Sequence, residues 1–259
     1  MTQQQSPQEP RLQEIGEQSQ LLYFEADIRT DINSRLLQTM AFLQQTLGPA
    51  LRLSPAYHSL LIEWPGLPDT DTLLRLLSQF QSADNSVNAT QQRHWRVPVC
   101  YGGEYGVDLS NLAQARNLSE HELIRYHSNS EYRVFMLGFA PGYAYLGPLD
   151  KRLHSPRRSQ PRASTPAGSI SIGGRQTLIA GVSMPSGWHL IGQTPLNSFR
   201  PELESPCLFA PGDTIRFNAI DADEFRHWQA LDPDQQWQRL QETSNSSEHQ
   251  DRQTSKARS

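Results

Sequence analysis

Between Gln20 and Gln92, the apolar positions alternate between strand spacing and helix spacing. Short apolar stretches predict strands in QLLYFEADI and SLLIEW. Apolar side chains three and four positions apart predict two amphipathic helices, in NSRLLQTMAFLQQTLG and DTDTLLRLLSQF, the first of which ends at Gly48. This order of strand, helix, strand and helix predicts a small α/β sandwich domain over residues 20–92. The polar stretch QSADNSVNATQQRH is predicted to connect this domain to the rest of the chain.

From Val97 onward, short strands separated by glycine and proline replace that pattern. Strands are predicted in VPVCY, EYRVFMLGF, SISIGG, QTLIAGV, GWHLIG and CLFAPGDTIRF. Asp108 is placed to cap a helix over LSNLAQAR, and Ser119 and Glu122 form a capping box for the next helix. Many short strands with few helices predict a closed β-barrel over residues 93–240, with DADEFRHWQALDPDQQWQRL as its closing helical segment. The predicted fold class is α+β, a small α/β sandwich domain followed by the barrel.

The two ends of the chain and its overall charge narrow the class of protein. Residues 1–19 and 241–259 nearly lack large apolar side chains, which predicts disordered tails. No apolar run is long enough for a membrane span, the N-terminus lacks a secretion signal pattern, and a net charge of -4 argues against nucleic acid as the main partner. Cys100 and Cys207 fit buried free thiols better than a disulfide or redox pair. We therefore expect a cytoplasmic protein with neither a membrane nor a nucleic-acid partner.

The stretch GFAPGYAYLG, residues 138–147, places three aromatic side chains on a sharply bent backbone. Gly142 and Pro141 would shape the turn, because glycine allows close approach of the main chain to a ligand. Phe139 and Tyr145 are then candidate walls of a substrate pocket, although aromatic side chains at such a turn can equally plug the end of a barrel.

A basic run follows, from Lys151 to Arg175, without one Asp or Glu. Arg157 and Arg162 each follow a proline, which fixes the local backbone, and guanidinium groups bind carboxylate or phosphate through two parallel hydrogen bonds. The two arginines are therefore a candidate anion clamp. The alternative interpretation is a solvated basic loop that binds no ligand, which would contain the same residues.

Candidate binding residues also lie in and after TPAGSISIGG. This stretch lacks the Gly-Lys-Ser/Thr ending of a phosphate loop and leads into a strand, but exposed amides at Gly168 and Ser169 could still meet an anion. Gln176 follows as a further candidate, and Trp188 in PSGWHLIG is either core or pocket wall.

One histidine is a candidate proton-transfer group. His127 ends a helix just before the strand that feeds GFAPGYAYLG, so it is either an acid/base group at a pocket mouth or a cation at a helix C-terminus. No His, Cys or carboxylate cluster has the spacing of a metal site, and no metal is expected.

Together these motifs resemble the bacterial allophanate hydrolase subunit 1 group, which includes the B subunit of 5-oxoprolinase and the sporulation kinase A inhibitor. The motifs that carry the resemblance occur in order between Gln20 and Phe225: VPVCYGGEYGVDL, LSEHELIRYHS, YRVFMLGFAPGYAYLG, SPRRSQPRASTPAGSISIGG, GWHLIGQTPLNSF and FAPGDTIRF. The resemblance implies a cyclophilin-like barrel and a polypeptide, inactive alone, that works with 5-oxoprolinase subunits A and C to open the lactam of 5-oxo-L-proline to L-glutamate. ATP would be hydrolysed by the complex, in a site shared with or supplied by a partner.

Under that resemblance, the candidate residues take specific roles. Arg157 and Arg162 would hold phosphate and the substrate carboxylate, Phe139, Tyr145 and Trp188 would wall the flat ring, and His127 would move a proton. Gln193 and Arg200 depart from the usual pattern of the group, so a component of an amidohydrolase for another amide or urea-like substrate remains open as a reading. Two more functions are compatible with the sequence: a non-enzymatic module that inhibits a sensor histidine kinase and, from the barrel alone, a prolyl isomerase.

Overall fold

The computed structural model describes residues 10–82 and 92–256. The chain divides into two compact units, Met1–Gln92 and Arg93–Ser259. Parts of three predicted segments lie outside the described residues: 1–9 and 257–259 of the predicted tails, and 83–91 of the polar connection.

The first unit is a four-stranded antiparallel sheet with two helices. The elements are β1 (Arg11–Gly16), β2 (Ser19–Tyr23), α1 (Thr30–Leu47), β3 (Arg52–Pro55), β4 (Ser59–Glu63) and α2 (Thr70–Ser82), and the sheet order is β1-β2-β4-β3. Side chains of β2 and β4 alternate between buried and half-buried, so one face of the sheet packs into the core. That core contains fully buried side chains from both helices and from the two central strands: Leu22, Leu36, Leu60, Ile62 and Leu73.

The prediction of a disordered tail over residues 1–19 is wrong where β1 forms. RLQEIG has only two large apolar residues, but β1 is an edge strand that pairs with β2 alone and leaves most of its side chains exposed. An edge strand of this kind is held by main-chain hydrogen bonds, which leave no apolar pattern in the sequence. The strand β3, at the other edge, was missed for the same reason.

The second unit is built on a closed β-barrel, as predicted, and this barrel has seven strands. The elements before the barrel closes are β5 (His94–Tyr101), α3 (Leu109–Ala115), α4 (Glu120–Ser128), β6 (Glu131–Leu137), β7 (Ala144–Gly147), β8 (Arg162–Thr165), β9 (Ser169–Gly173), β10 (Gln176–Ile179), β11 (Met184–Ser186), β12 (His189–Gln193) and β13 (Thr214–Ile220). The order around the barrel is β10-β7-β6-β13-β5-β12-β9, with β9 and β10 also paired. The strands β5 and β13 run parallel, and β8 and β11 form a separate two-stranded sheet. The expected mixed α and β fold with a barrel is thus confirmed.

Two helices follow the barrel strands, α5 (Ala222–Gln229) and α6 (Pro233–Lys256). The prediction of disorder from residue 241 onward is wrong for the part of α6 that reaches Lys256. Helical hydrogen bonds are local, so a polar segment can continue a helix that is anchored upstream. Leu240, which is fully buried, provides such an anchor.

The two predicted helix caps have different outcomes. Ser119 caps α4, and its hydroxyl and the Glu122 side chain form the reciprocal hydrogen bonds of a capping box, as predicted. Asp108 occupies the N-cap position of α3, as predicted, but its side chain makes no capping hydrogen bond. Its carboxylate binds two arginines instead, as described below.

Both cysteines are free, Cys100 buried and Cys207 half-buried. Among the described residues, no helix combines the length and the apolar character needed to cross a bilayer.

Candidate functional site

The stretch GFAPGYAYLG forms the tight connection from β6 to β7. The Gly138 N–H donates to Tyr143 O over 3.2 Å, and the Tyr143 N–H donates to Ala140 O over 3.2 Å, which closes the turn. Gly142 has φ of 68°, and a Cβ built there would lie 2.6 Å from the Cβ of Phe199. Glycine is therefore required at this position by both conformation and space.

The turn sends its three aromatic side chains in different directions. Phe139, which has φ of 69°, is 71% exposed. Tyr143 is only 2% exposed and belongs to a small apolar cluster with Leu178 and Ala180. Tyr145 on β7 is half-buried. Its ring meets the ring of Trp188 edge to face, with centroids 5.8 Å apart and planes at 79°. Phe139 and Tyr143 also meet edge to face, at 5.8 Å.

Trp188 is a core residue, which is one of the two roles predicted for it. It is 5% exposed and packs against Gly173, where a Cβ would come within 2.5 Å of the indole ring. Gln176 lies opposite Gly173, the residue that the indole covers, in the β9–β10 ladder. The structure thus brings Tyr145, Trp188 and Gln176 to one region of the barrel.

Arg157 completes this region. Its side chain is exposed, and its guanidinium carbon lies 5.8 Å from the centroid of the Trp188 ring. Burial raises the pKa of the Tyr145 hydroxyl, and the positive charge of Arg157 opposes that rise. We call Arg157, Trp188 and Tyr145 the arginine–aromatic site.

Arg162, the other half of the predicted clamp, binds a carboxylate of its own chain. Its Nη1 and Nη2 donate to the two carboxylate oxygens of Asp108 over 2.7 and 2.8 Å. Arg158 Nη1 donates to the same carboxylate over 2.7 Å, and so does the Leu190 N–H over 2.8 Å. The Asp108 side chain is 3% exposed, so this is a nearly buried ion pair with two cations.

The ionisation of Asp108 follows from these contacts. Burial by itself would raise the pKa of its carboxyl, but the hydrogen bonds from Arg162 and the Leu190 N–H, with the charges of both arginines, hold the pKa below its usual range. Asp108 is therefore a stable anion that fixes the loop before β8. Arg162 positions this loop and is not available to clamp a ligand with Arg157.

The predicted main-chain anion site at Gly168 and Ser169 is occupied by internal hydrogen bonds. The Gly168 N–H donates to Ala180 O over 2.7 Å, and a Cβ at Gly168 would lie 2.3 Å from Thr194 O. The Ser169 hydroxyl donates to Pro166 O over 2.7 Å and is buried. These two residues shape the turn into β9, and their donors are not directed at a ligand.

Pro141, another predicted binding residue, is exposed on the turn that carries Phe139.

His127 is neither at a pocket mouth nor a helix-terminal cation, so both predicted roles are wrong. It is fully buried, and burial lowers its pKa from 6.5 to about 3. Its Nδ1 lies 2.8 Å from the Tyr101 hydroxyl, and its Nε2 lies 2.9 Å from Thr177 Oγ1. The ring stacks on Phe217 with centroids 4.7 Å apart. His127 is a neutral, satisfied core residue of the barrel.

Two surface clefts of this unit lie elsewhere. One, of about 70 Å³, is lined by residues that include His94, Glu131 and Arg216. The other, of about 450 Å³, is lined by residues that include Asn218 and Arg239. Neither cleft contains a residue of the arginine–aromatic site. Within residues 10–82 and 92–256, no group of three or more His, Cys, Asp or Glu side chains is placed to hold a metal ion.

Sequence reasoning missed Asp108 and Arg158 as the partners that fix the basic loop. The available signal was the basic run itself. Several arginines without a nearby acid in sequence require acids from elsewhere if they are to be buried. The sequence does not identify that acid, because Asp108 precedes Arg158 by 50 positions.

Comparison with known proteins places this chain within a family. The family described as "Carboxyltransferase domain, subdomain C and D" matches residues 10–209. The chain therefore belongs to this family of carboxyltransferase-type domains. Three curated proteins, each named as the B subunit of 5-oxoprolinase, match it, which confirms the resemblance found in the motifs. The one from Bacillus subtilis (strain 168) is 35% identical over 227 residues, 83% of this chain and 95% of that protein.

Solved structures agree on the fold. The crystal structure of TTHA0988 aligns with a TM-score of 0.68 and 32% identity, covering 79% of this chain and 40% of that one. This chain therefore spans less than half of that protein. The K. lactis urea amidolyase aligns with a TM-score of 0.66 over 84% of this chain and 15% of its own, at 17% identity, which shows a shared fold only.

Arg200 and Gln193 have local roles in the structure. Arg200 Nε donates to Glu202 over 2.8 Å, its Nη1 pairs with Asp234 at the start of α6, and its guanidinium stacks on Trp237. Gln193 Nε2 donates to Ala167 O over 2.8 Å. Arg200 thus ties the turn after β12 to the closing helix, and none of these contacts involves the arginine–aromatic site.

Proposed function

We propose that this chain is the corresponding component of a heteromeric, ATP-dependent 5-oxoprolinase, which opens 5-oxo-L-proline to L-glutamate with ATP hydrolysis. Support for the class comes from the 5-oxoprolinase relatives, one of which is matched over 95% of its length. The name of these relatives implies further polypeptides, and we propose 5-oxoprolinase subunits A and C as the partners. Because a fold alone does not carry a function, the site must support the proposal as well.

The observation that carries the proposal is the exposed guanidinium of Arg157 beside the rings of Trp188 and Tyr145. The proposed substrate, 5-oxo-L-proline, has a flat lactam ring and one carboxylate. Aromatic walls suit the ring, and a guanidinium suits the carboxylate. The arrangement matches both halves of this molecule.

Within the complex, this chain would bind and orient the substrate. The lactam carbonyl is a poor electrophile, and ATP would supply the phosphoryl group that activates its oxygen. The sequence contains no Gly-Lys-Ser/Thr phosphate loop, so we assign ATP binding to a partner or to a site shared with one. Contributions of this chain would be to hold the ring on Trp188, fix its orientation through Arg157, and exclude water from one face of the ring. Such an ATP-consuming complex would work in the cytoplasm.

The direct test is ATP-dependent release of glutamate from 5-oxoproline by this chain co-purified with subunits A and C. We expect turnover from the complete complex and none when this chain is omitted. A complex that assembles but leaves 5-oxoproline intact would contradict the proposal and direct attention to another amide or urea-like substrate. Failure to assemble would contradict it too, and inhibition of a sensor histidine kinase by the pure chain would then be measured.

A further inference from the structure

We infer that Arg157 is the residue that binds the substrate carboxylate, and that Arg158 and Arg162 serve only to position it. This inference rests on the proposed function for the identity of the ligand, a small cyclic amide with one carboxylate. It divides the basic loop into one ligand-binding cation and two structural ones.

The neighbouring arginines of the loop differ in whether they are available to a ligand. The carboxylate of Asp108 binds both Arg158 and Arg162, with four donors within 2.8 Å when the Leu190 N–H is included. Arg157, which precedes Arg158 directly, is exposed. Among the described residues its contact is the ring face of Trp188, and no carboxylate pairs with it. Arg157 is therefore the arginine that a ligand can reach.

The backbone presents Arg157 rigidly. On its N-terminal side, His189 Nε2 lies 2.9 Å from Pro156 O, to which it donates. On its C-terminal side, the Arg158 N–H donates to Gly187 O over 2.7 Å. The backbone at Arg157 is thus tied on both sides to the segment that carries Trp188. A main chain held in place before binding has less entropy to lose when the ligand arrives.

The site also offers a partner to each part of the ligand. The Arg157 guanidinium lies 5.8 Å from the Trp188 ring, and Tyr145 stands edge to face with that ring at 5.8 Å. A flat five-membered ring can pack against these aromatics while its carboxylate accepts two hydrogen bonds from the guanidinium fork. Lysine cannot reproduce this fork, since its ammonium is a point charge.

The test pairs two ligands with three variants. The ligands are 5-oxo-L-proline and 2-pyrrolidinone, which has the same lactam ring without the carboxylate. The variants are Arg157→Gln, Arg157→Lys and the control Lys151→Gln, which removes an exposed positive charge from the same basic run. Binding is followed on the isolated chain and on the complex through the indole N–H resonance of Trp188, assigned by its loss in Trp188→Phe.

We expect 5-oxo-L-proline to bind about 10- to 100-fold more weakly to Arg157→Gln than to the wild type, the loss associated with a charge-assisted hydrogen bond. Arg157→Lys should bind at an intermediate level, Lys151→Gln should bind like the wild type, and binding of 2-pyrrolidinone should not respond to any of the three. In the active complex the same loss should appear in KM for 5-oxo-L-proline.

Three results would overturn the inference: equal binding of 5-oxo-L-proline by Arg157→Gln and wild type, equal weakening of both ligands, or no saturable shift of the Trp188 resonance in the wild-type chain and complex. The outcome is separate from that of the proposed function. A complex that binds 5-oxo-L-proline through Arg157 but does not turn it over supports the inference while contradicting the function. Turnover of 5-oxo-L-proline that is unaffected in Arg157→Gln contradicts the inference while supporting the proposed function.

Discussion

The stability of the barrel should depend on pH through the buried imidazole of His127. Thr177 Oγ1 donates to Ser171 O over 3.0 Å, so it accepts a hydrogen bond from Nε2–H of His127. Nδ1 then accepts from the Tyr101 hydroxyl. This neutral tautomer has both ring nitrogens satisfied. A second proton would reverse the bond to Tyr101, whose hydroxyl would have to accept, and would place a charge in the buried core.

The magnitude follows from the shift of the His127 pKa, from 6.5 to about 3 on burial. Between these two values the unfolded chain binds a proton that the folded chain does not, so the free energy of unfolding falls as the pH is lowered. Each pH unit within this window costs about 1.4 kcal/mol. From pH 8 to pH 5, His127 should therefore lower the stability of the barrel by about 2 kcal/mol. The neighbouring tyrosines do not titrate here, because burial raises the pKa of both Tyr101 and Tyr132.

The assay is urea unfolding of the wild type and of His127→Gln at several pH values between 8 and 5. Glutamine keeps a donor for Thr177 and cannot be protonated in this range. The variant should be less stable at pH 8, because it loses the stacking on Phe217, and the difference between the two proteins should shrink by about 2 kcal/mol at pH 5. A difference that stays constant with pH would refute the reasoning, as would a His127 resonance that titrates near its ordinary value.

Three further substitutions test other parts of the structure. Asp108→Asn should lower the free energy of unfolding by about 3 kcal/mol in urea titrations, because it leaves two arginines without their carboxylate; an unchanged midpoint would contradict the ion-pair description. Gly142→Ala should cost about 2 kcal/mol or more, since it combines strain at positive φ with a clash against Phe199; a melting temperature equal to that of the wild type would count against the tight turn. Ser119→Ala should cost about 1 kcal/mol by removing the capping box with Glu122, and amide exchange should rise in the first turn of α4; uniform exchange across α4 would argue against that cap.

How far the sequence predicts this fold depends on how much of each element is visible locally. The barrel strands were predictable because buried strands leave apolar runs such as VPVC in β5, all four residues of which are buried. The edge strand β1 was not, because its side chains are mostly exposed and its partner is chosen by main-chain bonding. The polar end of α6 was missed because Leu240 and the buried Ser244, whose hydroxyl accepts from the Arg96 N–H, hold it without leaving an apolar pattern.

The candidate site shows the same division. Arg157, Trp188 and Tyr145 could be selected from residue type and from proline and glycine neighbours. The different roles of Arg157 and Arg162 could not be predicted, because Arg162 pairs with Asp108, which lies more than 50 positions earlier in the sequence. For His127 the local signal was present but misjudged: it follows Leu123 by four positions on α4, so both lie on the buried face of the helix.

The parallel pairing of β5 with β13 has a consequence for the order of events during synthesis. Seven consecutive residues of β5, from His94 to Cys100, find their partners between Thr214 and Ile220. The last strand to leave the ribosome is therefore the one that joins the first strand of the barrel to β6, and until it emerges β5 lacks one of its two neighbours. Contacts that close so late make folding slow and leave strand edges open to aggregation. A nascent chain stalled before Thr214 would hold an open sheet, and we expect it to depend on chaperones in a way that the finished chain does not.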